Sequence, residues 1–331
     1  MHGGEFHAMK RPLPAAAGGY SRPKRGCMRI SIITLAIDAP EYFHEAVASI
    51  ARQEHENLEH IVVHDGDETF PADLRRRYPA IKVLKGRRAG ATAAAALGVE
   101  AATGDFILFL HSDDRLYPGA LARLAVAAAA RPEVRIWTGG ARIFRTLADG
   151  REVTVRRLVG RHMTRLSLDN VCDNIPLLSA RFCHRSVFSQ IGDFDPRFSE
   201  SSDREFLLRA AVAGVTEASL DVMASEMRLH EGSRTIHHRR DGVPPYLVEH
   251  IAIAEMLSRR PDIDADTRRF LRNWRAREKL RLFVHQCRER HWKDAGALLL
   301  GAGLMDPLWF FRIVTVFAAQ QRRSGRYDSG A

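Results

Sequence analysis

An unbroken apolar run closed by two acids constrains this chain more than any other feature. Residues 105–117 read Asp-Phe-Ile-Leu-Phe-Leu-His-Ser-Asp-Asp-Arg-Leu-Tyr. From Phe106 to Leu110 polar and apolar residues do not alternate. That is the pattern of a strand buried on both faces, as in a parallel sheet covered by helices. Asp113 and Asp114 follow directly. In open α/β sheets ligands bind beyond the carboxyl ends of the strands. Two adjacent carboxylates there need a compensating positive charge, and a divalent cation carrying a phosphate supplies one. The stretch points to a site for a metal and a nucleotide.

The rest of the first half fits such a sheet. Residues 29–36 and 58–64 are β-rich apolar runs, and residues 81–84 form a third short strand. A helix is expected from Pro40 to about Gln53, with Phe43, Val47 and Ile50 at helical spacing. Further helices are expected near residues 72–78, 91–102 and 121–130. Strands and helices alternating through short connections predict βαβ units. Beyond Pro132 the rhythm changes. Residues 134–145 and 151–158 are strand-like and flank Asp149-Gly150, a turn signal. A short helix at 186–191 stops at Gly192, and a strand is expected at 220–230. Ser201-Ser202-Asp203 offers capping side chains to a helix reaching about Val212. From Pro244 onward the pattern is helical.

Charge and cysteine content narrow the partners. The 331 residues carry a formal net charge of +10, which favours anionic ligands or surfaces. The arginines are dispersed and no nucleic-acid module is present, so no nucleic-acid partner is expected. Cys27, Cys172, Cys183 and Cys287 show neither zinc spacing nor a disulfide framework, which predicts a reducing, cytoplasmic setting. Residues 1–27 lack an apolar core and read as a disordered basic leader. Residues 295–320 are apolar, but Asp306-Pro307 and Arg312 interrupt them, short of the roughly 20 clean residues of a membrane span. Those helices either pack in a core or, with nearby arginines, lie on an anionic membrane surface. The second reading makes the protein peripheral on the inner face of the membrane.

An ordered set of short motifs resembles family 2 glycosyltransferases. It comprises Ser31-Ile32-Ile33-Thr34, Ser49-Ile50, Gln53, Ile61-Val62-Val63-His64-Asp65-Gly66, Ala102-Thr103-Gly104-Asp105 and Ser112-Asp113-Asp114. Arg185-Ser186-Val187-Phe188, Ile191-Gly192-Asp193-Phe194-Asp195, Asp203 with Leu207-Leu208-Arg209, and Arg228-Leu229-His230 continue it. The resemblance implies an α/β GT-A fold over residues 28–235, Rossmann-like with a mostly parallel sheet flanked by helices. Residues 236–331 then form a C-terminal helical extension. It also implies an inverting transfer from a nucleoside-diphosphate sugar, a UDP-sugar first, to a hydroxyl of a glycan or lipid-linked acceptor, assisted by Mn²⁺ or Mg²⁺.

By the same resemblance Thr34, Asp38, Asp65 and Asp113 hold the nucleotide sugar, Asp114 and His230 serve the metal, and Asp203 is the general base. The chemistry agrees. A sugar hydroxyl is a weak nucleophile at neutral pH, and a carboxylate within reach that takes its proton accelerates transfer about 10²–10⁴-fold. Each residue also has a plainer reading: Asp113-Asp114 and Asp65 as turn residues, Asp203 as a helix cap, His230 as a structural histidine. His237-His238 lacks zinc-site spacing, and the adjacency of Cys183 and His184 does not make a nucleophile pair. The chain departs from the family pattern at Asp38, His64, Ala96 and His111. The substitutions at His64, Ala96 and His111 are the best support for the alternative of a non-catalytic nucleotide-sugar-binding or scaffold protein that keeps the fold.

Overall fold

A computed structural model of the chain describes residues 28–36, 42–65, 76–86, 89–160, 164–230 and 244–305, with side chains through 298. The expected leader, Asp38, Gly66, His237-His238 and the segment after residue 305 lie outside the described residues.

The first half alternates as its sequence pattern requires. Strand β1 (Ile30–Ala36) leads to helix α1 (Phe43–Ala51) and β2 (Leu58–His64); β3 (Lys82–Lys85), α2 (Ala91–Ala101) and β4 (Phe106–His111) follow. These four strands pair in parallel, in the order β3-β2-β1-β4. The non-alternating run in β4 fills two cores. Ile107 and Phe109 pack on one side of the sheet with Ile33, Ile61 and Val63, and Phe106, Leu108 and Leu110 pack on the other with Ile30 and Ile32. Each such side chain, fully buried, contributes about 1.5–3 kcal/mol relative to exposure. Helix α2 approaches the sheet closely at Gly98, where a Cβ would stand 2.5 Å from an Ile33 methyl.

The second half extends the same sheet. A two-residue β5 (Arg115–Leu116) precedes α3 (Ala120–Ala130) and the hairpin β6 (Ile136–Thr146) and β7 (Glu152–Leu158). A register shift between Ile143 and Phe144 marks a bulge in that hairpin, and the Asp149-Gly150 turn places Gly150 at φ 82°. A short helix α4 (Leu168–Asp173), β8 (Arg181–His184), α5 (Ser186–Ile191), α6 (Ser202–Val212) and β9 (Glu217–Arg228) complete it. The full order is β3-β2-β1-β4-β8-β6-β9-β5, with β7 on β6. Strand β8 runs antiparallel to both β4 and β6, while β6 and β9 are parallel.

Helices α7 (Pro245–Ser258), α8 (Ala265–Arg288) and α9 (Trp292–Met305) follow. Ile253, Ala254 and Leu257 of α7 and Leu271 and Trp274 of α8 join the core that holds Phe109, Phe188 and Phe206. Helices α7 and α8 thus pack directly on the sheet domain. No helix among the described residues is long and apolar enough to cross a membrane.

Candidate active site

The carboxyl ends of β2 and β4, with β1 between them, place Asp65 and Asp113-Asp114 along one rim of the sheet. After His111 the chain turns tightly, with the Asp114 N–H donating to the His111 carbonyl at 3.2 Å. The turn sends Asp114 inward, to 2% exposure, and leaves the Asp113 and His111 side chains more open.

Asp114 is the electrostatic centre. Its Oδ1 accepts from the backbone N–H of Arg228 at 2.9 Å, whereas Oδ2 is buried with no hydrogen-bond partner. Burial pushes this carboxyl up to about 7, and the Asp113 charge adds to the rise against the opposing pull of His111 and Arg228. A buried carboxylate oxygen without a partner is costly, and a cation removes that cost. His111, Asp113 and Asp114 each offer one ligand atom within 4.8 Å of the others. Two carboxylates and an imidazole are donors that suit a divalent ion, so the residues present fit a metal.

Two further residues expected at the site, Thr34 and His230, differ in exposure. Thr34 is sealed inside the sheet at 0% exposure, its hydroxyl 2.9 Å from His60 Nε2 on β2, so it has no surface to offer a donor. Burial holds that His60 imidazole down at about 3, in its neutral form. His230 meets Asp113: its Nε2 lies 2.9 Å from Asp113 Oδ2 and its ring 5.3 Å from that of Tyr42. The nitrogen grouped with both acids belongs to His111, one of the positions where the chain departs from the family pattern. Asp65 sits as expected at the end of β2, its Oδ2 accepting from the Gly90 N–H at 3.0 Å as α2 begins.

Behind the acids lies a layer of alternating charge that sequence reasoning did not assign. The Arg228 guanidinium donates to the Asp113 carbonyl (3.3 Å), Thr146 (2.9 Å) and Glu45 (2.5 Å). Arg115 bridges Glu45, Glu152 and Glu226, and Arg142 bridges Glu152 and Glu226. All three guanidiniums stand 4.4–5.0 Å from the ring centre of Phe144, in cation–π range. The layer fixes the Arg228 backbone and so the Oδ1 of Asp114.

Asp203 lies on the second turn-forming residue of α6, and an aromatic cluster ties that helix to β4. Phe109 of β4 meets Phe194 edge-on at 5.1 Å, and Phe206 stacks on Phe194 and Phe188 at 4.7 and 5.2 Å. Phe206 is three residues after Asp203, and Phe109 is four before Asp113. The expected serine cap is not made: Ser201 leads the helix, but its buried hydroxyl has no partner. Behind the helix, Arg181 of β8 is 1% exposed and donates to Thr138 Oγ1 and to the carbonyls of Pro176 and Thr164. Burial pulls this guanidinium down to about 10, while the charge of Asp203 favours its protonated form. Cys183, two residues along the strand, is fully buried with its thiol pushed up to about 12, which rules it out as a nucleophile.

Comparison with known proteins matches this architecture. The E. coli glycosyltransferase YibD, itself uncharacterized, is 30% identical over 94 residues, 27% of each chain. The O-antigen biosynthesis protein RfbC of Myxococcus xanthus is 36% identical over 115 residues, 32% of this chain and 9% of that protein. The match thus spans about a quarter of YibD and a tenth of RfbC. Among solved structures, residues 1–349 of S. aureus TarS in complex with UDP-GlcNAc superpose with a TM-score of 0.56 at 16% identity, over 76% of this chain and 71% of that one. At that identity the likeness speaks for the fold, and the fold is the mixed, mostly parallel GT-A sheet between helices. Residues 31–188, just under half of the chain, match the model of Glycosyl transferase family 2.

Proposed function

We propose that the protein is an inverting glycosyltransferase that moves a sugar from a nucleoside diphosphate, UDP first, to a hydroxyl of a glycan or lipid-linked acceptor. One observation carries the reading: Asp114 Oδ2 is buried without a hydrogen bond at the carboxyl end of β4, with His111 Nδ1 3.7 Å away and Asp113 beside it. The TarS complex with UDP-GlcNAc supports a nucleotide-sugar donor in a fold of this kind.

In this reading Asp65 meets the nucleotide base and Asp113 the ribose or sugar. Asp114, with Asp113 and His111, holds Mn²⁺ or Mg²⁺, which when bound stabilises negative charge on the diphosphate. His230 orients Asp113 through its hydrogen bond. The acceptor oxygen attacks the anomeric carbon from the side opposite the diphosphate. The bond from that carbon to the phosphate oxygen breaks with its electron pair, and Asp203 takes the hydroxyl proton. One base and one direct displacement suffice for inversion, with no covalent sugar–enzyme intermediate.

A thermal-shift screen tests the donor. A ligand bound only by the folded chain stabilises it by about 2.7 kcal/mol at a hundred times its Kd. UDP or a UDP-sugar with Mn²⁺ should raise the Tm more than other nucleotides, and Asp114→Asn should remove the metal-dependent part. Absence of any nucleotide-dependent shift sinks the reading.

The acceptor side leads to the C-terminal helices. Arg269, Arg272 and Arg288 of α8 and Trp292 of α9 are exposed, a mixture of cations and aromatic surface suited to an anionic bilayer. Flotation with vesicles containing anionic lipid should carry the full chain at low salt, and its failure removes the membrane from the proposal.

A further inference from the structure

Helix α6 carries Asp203, and the turn that leads into it is held from another part of the chain. The backbone N–H groups of Ser199, Glu200 and Ser201 converge on the carboxylate of Glu249 in α7. Oε1 accepts from Ser199 at 3.0 Å and from Glu200 at 3.2 Å. Oε2 accepts from Glu200 at 3.0 Å and from Ser201 at 2.7 Å, and the Ser199 hydroxyl reaches Oε1 at 3.4 Å. Three successive N–H groups around one anion form a concave nest, and charge-assisted bonds of this kind are stronger than neutral ones.

Glu249 is itself rigidly held. The next residue, His250, places Nδ1 3.2 Å from Glu278 Oε2 on α8, and Arg281 reaches the same oxygen at 2.9 Å. One turn further along α7, Ile253 and Ala254 are fully buried in the core that contains Phe206 and Leu207. The carboxylate therefore reaches the 199–201 turn from a fixed base. Asp203 follows two residues after the last captured N–H, its own Oδ1 accepting from the Arg204 N–H at 2.7 Å.

We infer that Glu249 is a positioning residue for the general base, so that α7 belongs to the catalytic apparatus although it lies beyond the family-matched segment. The inference rests on the proposed role of Asp203. A carboxylate used in proton transfer needs its geometry set before the substrate arrives, and small misplacements are expensive. The Asp203 carboxylate is aimed by the turn that precedes it. Glu249 fixes that turn, which the unpartnered Ser201 hydroxyl does not.

The test uses the full chain with Mn²⁺ and three probes, UDP-GlcNAc, UDP-glucose and UDP-galactose, with water as acceptor. In that reaction water oxygen attacks the anomeric carbon, Asp203 receives the proton, and UDP leaves with the free sugar as co-product. UDP release is read for the wild type, Glu249→Gln, Asp203→Asn and the double variant, beside UDP affinity and amide hydrogen exchange across residues 199–205. Glu249→Gln keeps one accepting oxygen and turns an NH₂ toward an N–H donor. It should speed exchange in that segment, leave UDP affinity within about twofold, and slow UDP release by at least about tenfold. Added to Asp203→Asn it should cost nothing further. Glu249→Asp, with a shorter reach, provides the folded control if the glutamine variant does not accumulate, and should show the same pattern more weakly. Unchanged release in Glu249→Gln, or an equal loss in the Asp203→Asn background, overturns the positioning role while Asp203 keeps its own. If Asp203→Asn releases UDP as fast as the wild type, or no probe yields UDP, the functional reading falls and the inference with it.

Discussion

The backbone N–H of Arg228 donates to one oxygen of the Asp114 carboxylate at 2.9 Å and leaves the other oxygen buried without a hydrogen bond, 3.7 Å from His111 Nδ1. Residues 114 positions apart thereby define one half-satisfied anion, and its protonation follows from that geometry.

Without metal, the stability of the chain should fall as pH rises from about 4 to about 7 and level off above that. The folded-state pKa of Asp114, about 7, lies above the ordinary carboxyl value of 3.8. Between those values the folded chain holds a proton that the unfolded chain has released, so stability declines with rising pH. Melts in a chelator from pH 4.5 to 8 should show the decline. Asp114→Asn should flatten it by an amount on the order of a few kcal/mol, since each pKa unit is about 1.4 kcal/mol. Mn²⁺ should restore wild-type stability at pH 8 and leave the asparagine variant unchanged. An identical pH slope in both chains would contradict the assignment.

Asp203→Asn should lower kcat about 10²–10⁴-fold. Its Tm and its affinity for UDP should match the wild type, because the side chain is half-buried and, among the described residues, accepts from the Arg204 N–H alone. Kinetics with a responsive acceptor, run beside calorimetry, separate the two quantities. A proportional loss of nucleotide binding would place Asp203 on the donor instead.

Removing the Arg228 guanidinium should loosen the acids without touching them. Arg228→Met breaks its bonds to Glu45, Thr146 and the Asp113 carbonyl while keeping the backbone N–H that serves Asp114. A loss on the order of 1–3 kcal/mol in stability is expected, with weaker Mn²⁺ binding. Manganese titration followed by electron paramagnetic resonance reads the second effect directly. Wild-type metal affinity in this variant would show that the charged layer is only structural.

His111 should set the metal preference. An imidazole nitrogen favours transition metals over Mg²⁺, whose usual ligands are oxygens. We expect Mn²⁺ to bind more tightly than Mg²⁺ in the wild type, and His111→Asn to narrow the ratio by weakening Mn²⁺. Competition titrations with both ions measure it, and an unchanged ratio removes His111 from the ligand set.

What the sequence reveals and what it hides divide along local and distant causes. The run 106–110, the Asp149-Gly150 turn and the helix starting near Asp203 are written in neighbouring residues, and each is found where its pattern puts it. Strand β8 escapes because it is four residues long and opens with Arg181, a residue type seldom buried; only the Thr138 hydroxyl and two carbonyls make that burial tolerable. The capping serine is misread because the neighbouring Asp203 carboxylate takes the Arg204 N–H that a Ser201 cap would serve, while Glu249, 48 residues away, holds the Ser201 N–H. Arg228 and His230 are visible as part of a motif, but their partners are fixed only when β9 is laid beside β6. Asp113, Asp114, His111 and His230 do meet, whereas Thr34 lies in the motif yet is sealed between two strands.

The short strand β8 also settles the parity of the sheet. Running against β4 on one side and β6 on the other, it reverses direction twice. The second reversal cancels the first, so β6 points the same way as β4, and β9, parallel to β6, does too. Chain leaving β9 at Arg228 therefore emerges on the side where chain leaves β4 at His111, close enough for Arg228 and His230 to bond the two acids. An even number of reversals between the two strands is what puts both halves of this constellation on one shore of the sheet; an odd number would strand Arg228 and His230 at the opposite edge.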